Sequence, residues 1–164
     1  MGIPSGDAGT YRTLSIMRKV ARAGAINPLV RQTAVDLAYG LGTNPTAQAR
    51  TIRAWLEQNT TFQRDPYGVE AIHTPEAMIR QVLTRGRTSV DCDDVAVLAA
   101  SLGLTLGLKA RFVTVGFNSP KNPYAHVWAE LADPRSNAWI ECDITRPAQD
   151  FGAAAIQRTH ITVV

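Results

Sequence analysis

Residues 92–106, CDDVAVLAASLGLTL, turn apolar on almost every side once the opening aspartates are passed. At the roughly 3.6-residue period of an α-helix, such a stretch has no polar face to offer water. It has to be surrounded, so the pattern predicts a central helix with other elements packed around it. The chain has 164 residues, 45% of them hydrophobic. That is enough material to wrap one helix in a single domain without help from disulfides or a structural metal. With 19% charged residues and no repeats, the composition is that of a globular chain and argues against long disorder.

The wrapping elements can be read on both sides of this helix. Residues 10–23 place Leu14, Met17 and Val20/Ala21 on one helical face. Asn27-Pro28, Asn44-Pro45 and Thr74-Pro75 each set a capping side chain before a proline. A cap accepts a backbone N–H, and proline loses nothing at the first helical position because its missing donor would be unpaired there. These pairs predict helices over 28–39, 45–59 and 75–84, the first closed by Gly40 and Gly42. Beyond the central helix, 109–117, 124–131 and 138–145 alternate and are rich in β-branched and aromatic residues, so they read as strands. Asp133-Pro134 and Ser136-Asn137 make the turn between the last two. The order predicts an α+β domain: helices first, then a buried helix packed on an antiparallel sheet. Residues 1–44 read as an N-terminal helical extension and 45–164 as the main domain, in one compact unit, after a loose terminus of six residues.

Several function classes fall away. No stretch approaches the roughly 18 apolar residues of a membrane span, and the first residues lack the basic-then-apolar pattern of a secretory leader. A cytoplasmic protein is expected. Cys92 and Cys142 can form at most one bridge, so reduced thiols are the simpler expectation. Gly103 and Gly107 make no phosphate loop, and no C-x-x-C pair exists, so neither a nucleotide cofactor nor a metal is expected. Charge is uneven. Residues 1–56 carry seven basic and two acidic residues, a balance of +5, while 57–164 carry ten and twelve, a balance of −2. The basic region reads as a solvated face or as a docking face for an acidic partner, with nucleic acid left open.

Three residues carry possible chemistry. Cys92 stands at the start of the central helix, where about half a positive charge favours thiolate over thiol. Asp91, Asp93 and Asp94 oppose that shift, and a small buried core cysteine is the plainer reading. His126 shares a strand face with Tyr124, Trp128 and Glu130, as a general base or as a structural histidine. Asp143 shares a face with Trp139 and Glu141 while Cys142 faces the other way. An aspartate inside a strand needs hydrogen bonds to offset its cost, and the turn at 132–137 makes His126's strand its neighbour. The alternative is a turn aspartate at a strand end. Together they give a nucleophile, a base and an orienting acid.

At these residues the chain resembles the transglutaminase-like superfamily of the papain-like thiol fold. The segments that carry the resemblance are Asp91-Cys92-Asp93-Asp94-Val95-Ala96, Leu108-Lys109-Ala110-Arg111-Phe112-Val113, Ala125-His126-Val127-Trp128-Ala129-Glu130 and Trp139-Ile140-Glu141-Cys142-Asp143-Ile144-Thr145. It runs from about 45 to 147. It implies a nucleophilic Cys92, a basic His126 and an orienting Asp143. Val90 stands where the family often has glycine, and Gln63 is the candidate for the oxyanion-binding side chain. Asp65-Pro66-Tyr67-Gly68-Val69-Glu70, leading to Thr74-Pro75-Glu76, is similar to small versions encoded by bacteriophages and prophages. The resemblance implies a cysteine protease, amidase or transglutaminase acting on a peptide or carboxamide. Loop 117–123, just ahead of His126, reads as a border of the cleft or as a plain hairpin loop. A rival reading makes the domain a virion structural or assembly protein that docks on neighbouring subunits through its basic helices, located in the virion if phage-encoded.

Overall fold

The computed structural model describes residues 6–63, 71–119, 121, 123–145 and 156–164. Most of the expected loose terminus, the phage-like stretch at 65–70, Arg146 and Pro147 lie outside them. Two helices come first, α1 (Asp7–Ala25) and α2 (Pro28–Ala38). Then follow α3 (Pro45–Asn59), β1 (Thr60–Phe62), α4 (Pro75–Arg85), β2 (Thr88–Val90) and the central helix α5 (Cys92–Thr105). The chain continues with β3 (Lys109–Phe117), β4 (His126–Ala132), β5 (Trp139–Glu141) and β6 (Ile156–Val163).

Each proline-marked helix starts as its sequence requires. The Asn27 side chain accepts from the N–H groups of Leu29 and Val30, Asn44 from Ala47, and Thr74 from Ala77. Proline is the first helical residue in all three. Helix α2 stops at Ala38, just ahead of Gly40 and Gly42, whose φ values are 79° and 58°.

Helix α5 is central. Every residue from Asp93 to Gly103 is buried, and all four other helices touch it, as do β3 and β4. Against α1 the approach is close enough to need glycine, since a Cβ on Gly24 would meet Ser101 Oγ and Pro75 Cγ at 2.7 Å. The two polar groups of that interface are bonded. Ser101 Oγ donates to Ala21 O at 3.1 Å and Thr105 Oγ1 donates to Ala25 O at 2.9 Å. Hydroxyls placed there satisfy themselves on α1 carbonyls, so the apolar wall stays closed.

The larger sheet has strand order β5-β4-β3-β6, antiparallel throughout. Ala110, Phe112, Val127, Ala129 and Leu131 turn to the main core that contains α5, while Val113, Val115 and Trp128 form a second cluster. The alternation separates the two groups along each strand. Four differences from the sequence expectation concern strands. β1 and β2 form a separate parallel pair, Thr60 opposite Thr88, and β6 adds an edge strand to β3. β5 ends at Glu141 instead of running to 145, and β4 begins at His126 instead of 124. Beside that start, the β3–β6 register shifts between Gly116 and Phe117.

Candidate active site

Cys92 is the first residue of α5, and two devices hold it there. Asp91 caps the helix, its carboxylate accepting from Asp94 N–H at 3.3 Å, with the Asp93 carboxylate on the same N–H at 3.0 Å. On the other side, β2 runs directly into the cap and is pinned to β1. The ladder continues one step further, where Gln63 N–H donates to Val90 O at 2.8 Å. Gln63 therefore sits beside Val90, two residues before Cys92, with its side chain exposed.

The backbone N–H groups of Val127 and of Cys92 itself act on the Cys92 sulfur so as to favour thiolate. Burial, then the charges of Asp93 and Asp91, outweigh them, and the thiol is pushed up to about 12. Two of the three aspartates, Asp93 and Asp91, act as the sequence indicated, and burial adds the larger share, so Cys92 rests as a protonated thiol in this fold.

Val127 directly follows His126 at the start of β4, so the Cys92 sulfur meets β4 next to that histidine. His126 is buried, and its Nε2 lies 2.6 Å from Asp143 Oδ2. Asp143 sits two residues beyond the end of β5. Its other oxygen accepts from the Thr145 N–H at 3.1 Å and the Thr145 hydroxyl at 3.2 Å. Burial works against its charge, yet the bonds from His126 and Thr145 prevail and hold the carboxyl below its ordinary value. Asp143 is thus not inside a strand, as the first reading had it, yet it meets His126 as that reading expected. It is a strand-end turn residue, and it is also the partner of His126. Early termination of β5 is what makes this possible, because a residue still engaged in the ladder could not form that turn.

Cys142 goes elsewhere. It is fully buried in the main core, and burial pushes its thiol up to about 12 as well. Carboxylate oxygens of Asp91, Asp93 and Asp94 gather within 4.8 Å of one another. Asp91 and Asp93 share the Asp94 N–H, and His73 engages the Asp94 carboxylate.

His73 is a member of the surroundings that sequence reasoning missed. The Asp94 carboxylate takes His73 N–H and His73 Nδ1, each at 2.8 Å, tying the segment ahead of α4 to the first turn of α5. Burial keeps the Asp94 carboxyl above its ordinary value in spite of these bonds. The only signal was position, one residue before the Thr74 cap. A second unforeseen group lies further along β4. Glu130 accepts from Arg111 Nε at 2.6 Å and from Trp128 Nε1 at 3.3 Å, and Arg111 lies 4.1 Å from the Trp139 ring centroid. The Trp128 ring in turn packs 5.7 Å from that of His126. These bonds lock the residues of β3, β4 and β5 that surround the histidine.

Comparison with known proteins bears on this arrangement in one place. Neither the curated proteins nor the solved structures give a match. The family model of the transglutaminase-like superfamily does match, over residues 33–144, from within α2 to just past Asp143. That is well over half of the chain and includes Cys92, His126 and Asp143: the chain belongs to the transglutaminase-like superfamily.

Proposed function

We propose that the chain is a thiol-dependent acyl-transfer enzyme, of cysteine protease, amidase or transglutaminase type, acting on a peptide or carboxamide. The observation that supports it is the buried His126–Asp143 pair at 2.6 Å on the strand whose next N–H meets the Cys92 thiol. With Asp143 ionised, Nε2 carries the proton it shares with the carboxylate, and Nδ1 is the basic nitrogen. The resting thiol is protonated, so attack is general-base assisted rather than carried by a standing thiolate. As sulfur bonds to the carbonyl carbon, the thiol proton moves to Nδ1. The carbonyl oxygen gains negative charge, for which Cys92 N–H and the Gln63 side-chain amide are the donors. Collapse breaks the C–N bond, and His126 hands the proton to the departing amine. Water then cleaves the thioester to give hydrolysis, or an amine does so to give cross-linking.

The test is labelling with a thiol-directed acylating probe. Cys92→Ala abolishes labelling and Cys142→Ala retains it; equal labelling of the two variants overturns the reading. Gln63→Ala slows turnover by roughly 10²-fold, the usual cost of one oxyanion donor.

One observation favours a second reading, in which the fold serves as a virion scaffold that docks on neighbouring subunits: Arg12, Arg18, Lys19, Arg22 and Arg31 of α1 and α2 all lie at the surface. On that reading the chain copurifies stoichiometrically with a particle, and Cys92→Ala assembles as the parent does. A particle-free monomer that turns over a peptide amide defeats it.

A further inference from the structure

We propose that Tyr124, Arg158 and Asp7 are positioning residues for His126, forming a clamp through which two segments outside the family-matched stretch hold the start of β4. The clamp rests on the thiol-enzyme reading for its catalytic meaning and on geometry alone for its existence. β4 begins at His126, so the residues just before it lack a full ladder; Ala125 N–H reaches Val115 O at 2.9 Å. Tyr124 lies two residues ahead of the histidine, and other elements converge on it. From β6, the Arg158 guanidinium packs 4.0 Å from the centre of its ring. The same guanidinium donates to the Asp7 carboxylate, in the first turn of α1, at 2.7 Å. One turn along α1, Tyr11 packs beside Tyr124. Its ring sits 6.4 Å from Tyr124 and 4.8 Å from His160 of β6.

The backbone is built to admit this arrangement. Gly116 is opposite Arg158 in the β3–β6 ladder. A Cβ at Gly116 would meet Arg158 Cγ at 2.8 Å and Pro123 O at 3.0 Å. Glycine there lets the arginine stem cross β3 while the chain at Pro123 comes down beside it, one step before Tyr124. Asp7, Tyr11, Arg158 and His160 all lie outside residues 33–144. Both flanks of the family stretch thus meet on the residue that leads into His126. Asp143 fixes one edge of the imidazole, and the clamp fixes the backbone that carries it. A shift of about 1 Å in such a base costs up to about 10²-fold in rate.

The test measures acylation of Cys92 by an activated ester, p-nitrophenyl acetate, together with the ring ¹⁵N resonances of His126. Arg158→Ala slows acylation about tenfold or more and moves the His126 resonances. Arg158→Lys, which keeps the stem and the charge on Asp7, recovers most of the rate. Ile161→Ala, an exposed change on the same strand, moves neither readout. Should Arg158→Ala fail to fold, Asp7→Asn removes the charge at the surface and shifts both readouts the same way. Parental acylation and unmoved His126 resonances in Arg158→Ala or Asp7→Asn overturn the clamp while leaving the thiol reading intact. Acylation that persists in Cys92→Ala overturns the thiol reading, and the resonances alone then decide the clamp.

Discussion

The thiol of Cys92 is held in its neutral form by burial and by two flanking aspartates, against two backbone N–H groups that pull the other way. Raised to about 12, its thiolate fraction grows about tenfold for each pH unit across the working range. Its alkylation by iodoacetamide is therefore expected to keep rising through pH 9 with no plateau near the ordinary cysteine value. Asp93→Asn keeps an oxygen for the Asp94 N–H and removes the nearer charge, so it accelerates alkylation at every pH; an unchanged or slower rate would count against this electrostatic account. At this scale the sequence showed much. The His126–Asp143 pairing was legible because a carboxylate placed there needs a hydrogen-bond partner and the turn at 132–137 brings the two segments side by side. His73 was not, since its pairing with Asp94 joins positions 21 apart and leaves no local pattern. The balance between helix end, aspartates and burial at Cys92 was not legible either, because burial is a property of the packed fold.

Among the elements, those with strong local signals appear where the sequence puts them. α3 spans Pro45–Asn59 as expected, and its neighbours differ by a few residues at their ends. The caps responsible are unequal. Asn44 only caps, while Asn27 caps α2 and also donates through Nδ2 to Glu76 in the first turn of α4, at 2.8 Å. Asn44→Ala is expected to cost about 1 kcal/mol. Asn27→Ala should cost more, because it also unties α2 from α4; urea denaturation of the two variants gives the comparison. The missed strands lacked such signals. β1 and β2 have three residues each, too few to show a period, and pair across 28 positions. β6 is half-exposed, with Ile161 and Val163 facing solvent, so its alternation does not mark a buried face. β5 is cut short by a side-chain turn at Asp143 that composition does not announce.

For the molecule as a whole, the all-apolar helix was the most informative stretch, since it had to lie at the centre of the fold before any motif was weighed. What it left open is which elements touch it. α1 does so along its length: Leu14, Met17 and Ala21 share one buried cluster with Val30, Ala34 and α5, although the family match begins only at residue 33. Met17, 1% exposed, should therefore behave as a core residue, and Met17→Ala should cost about 2–5 kcal/mol in thermal or urea unfolding. A loss below about 1 kcal/mol would mean that α1 is an appendage. The Asp7–Arg158 contact has a consequence in time. It joins residues 151 positions apart and closes nearly the whole chain into a ring. The entropy of closing a loop grows with its length, and one exposed ion pair is too weak to offset it. The ring can close only after the core has already brought the two ends together. It is the last latch to set and the first to spring, so the start of β4 breathes with the chain ends on a clock faster than global unfolding.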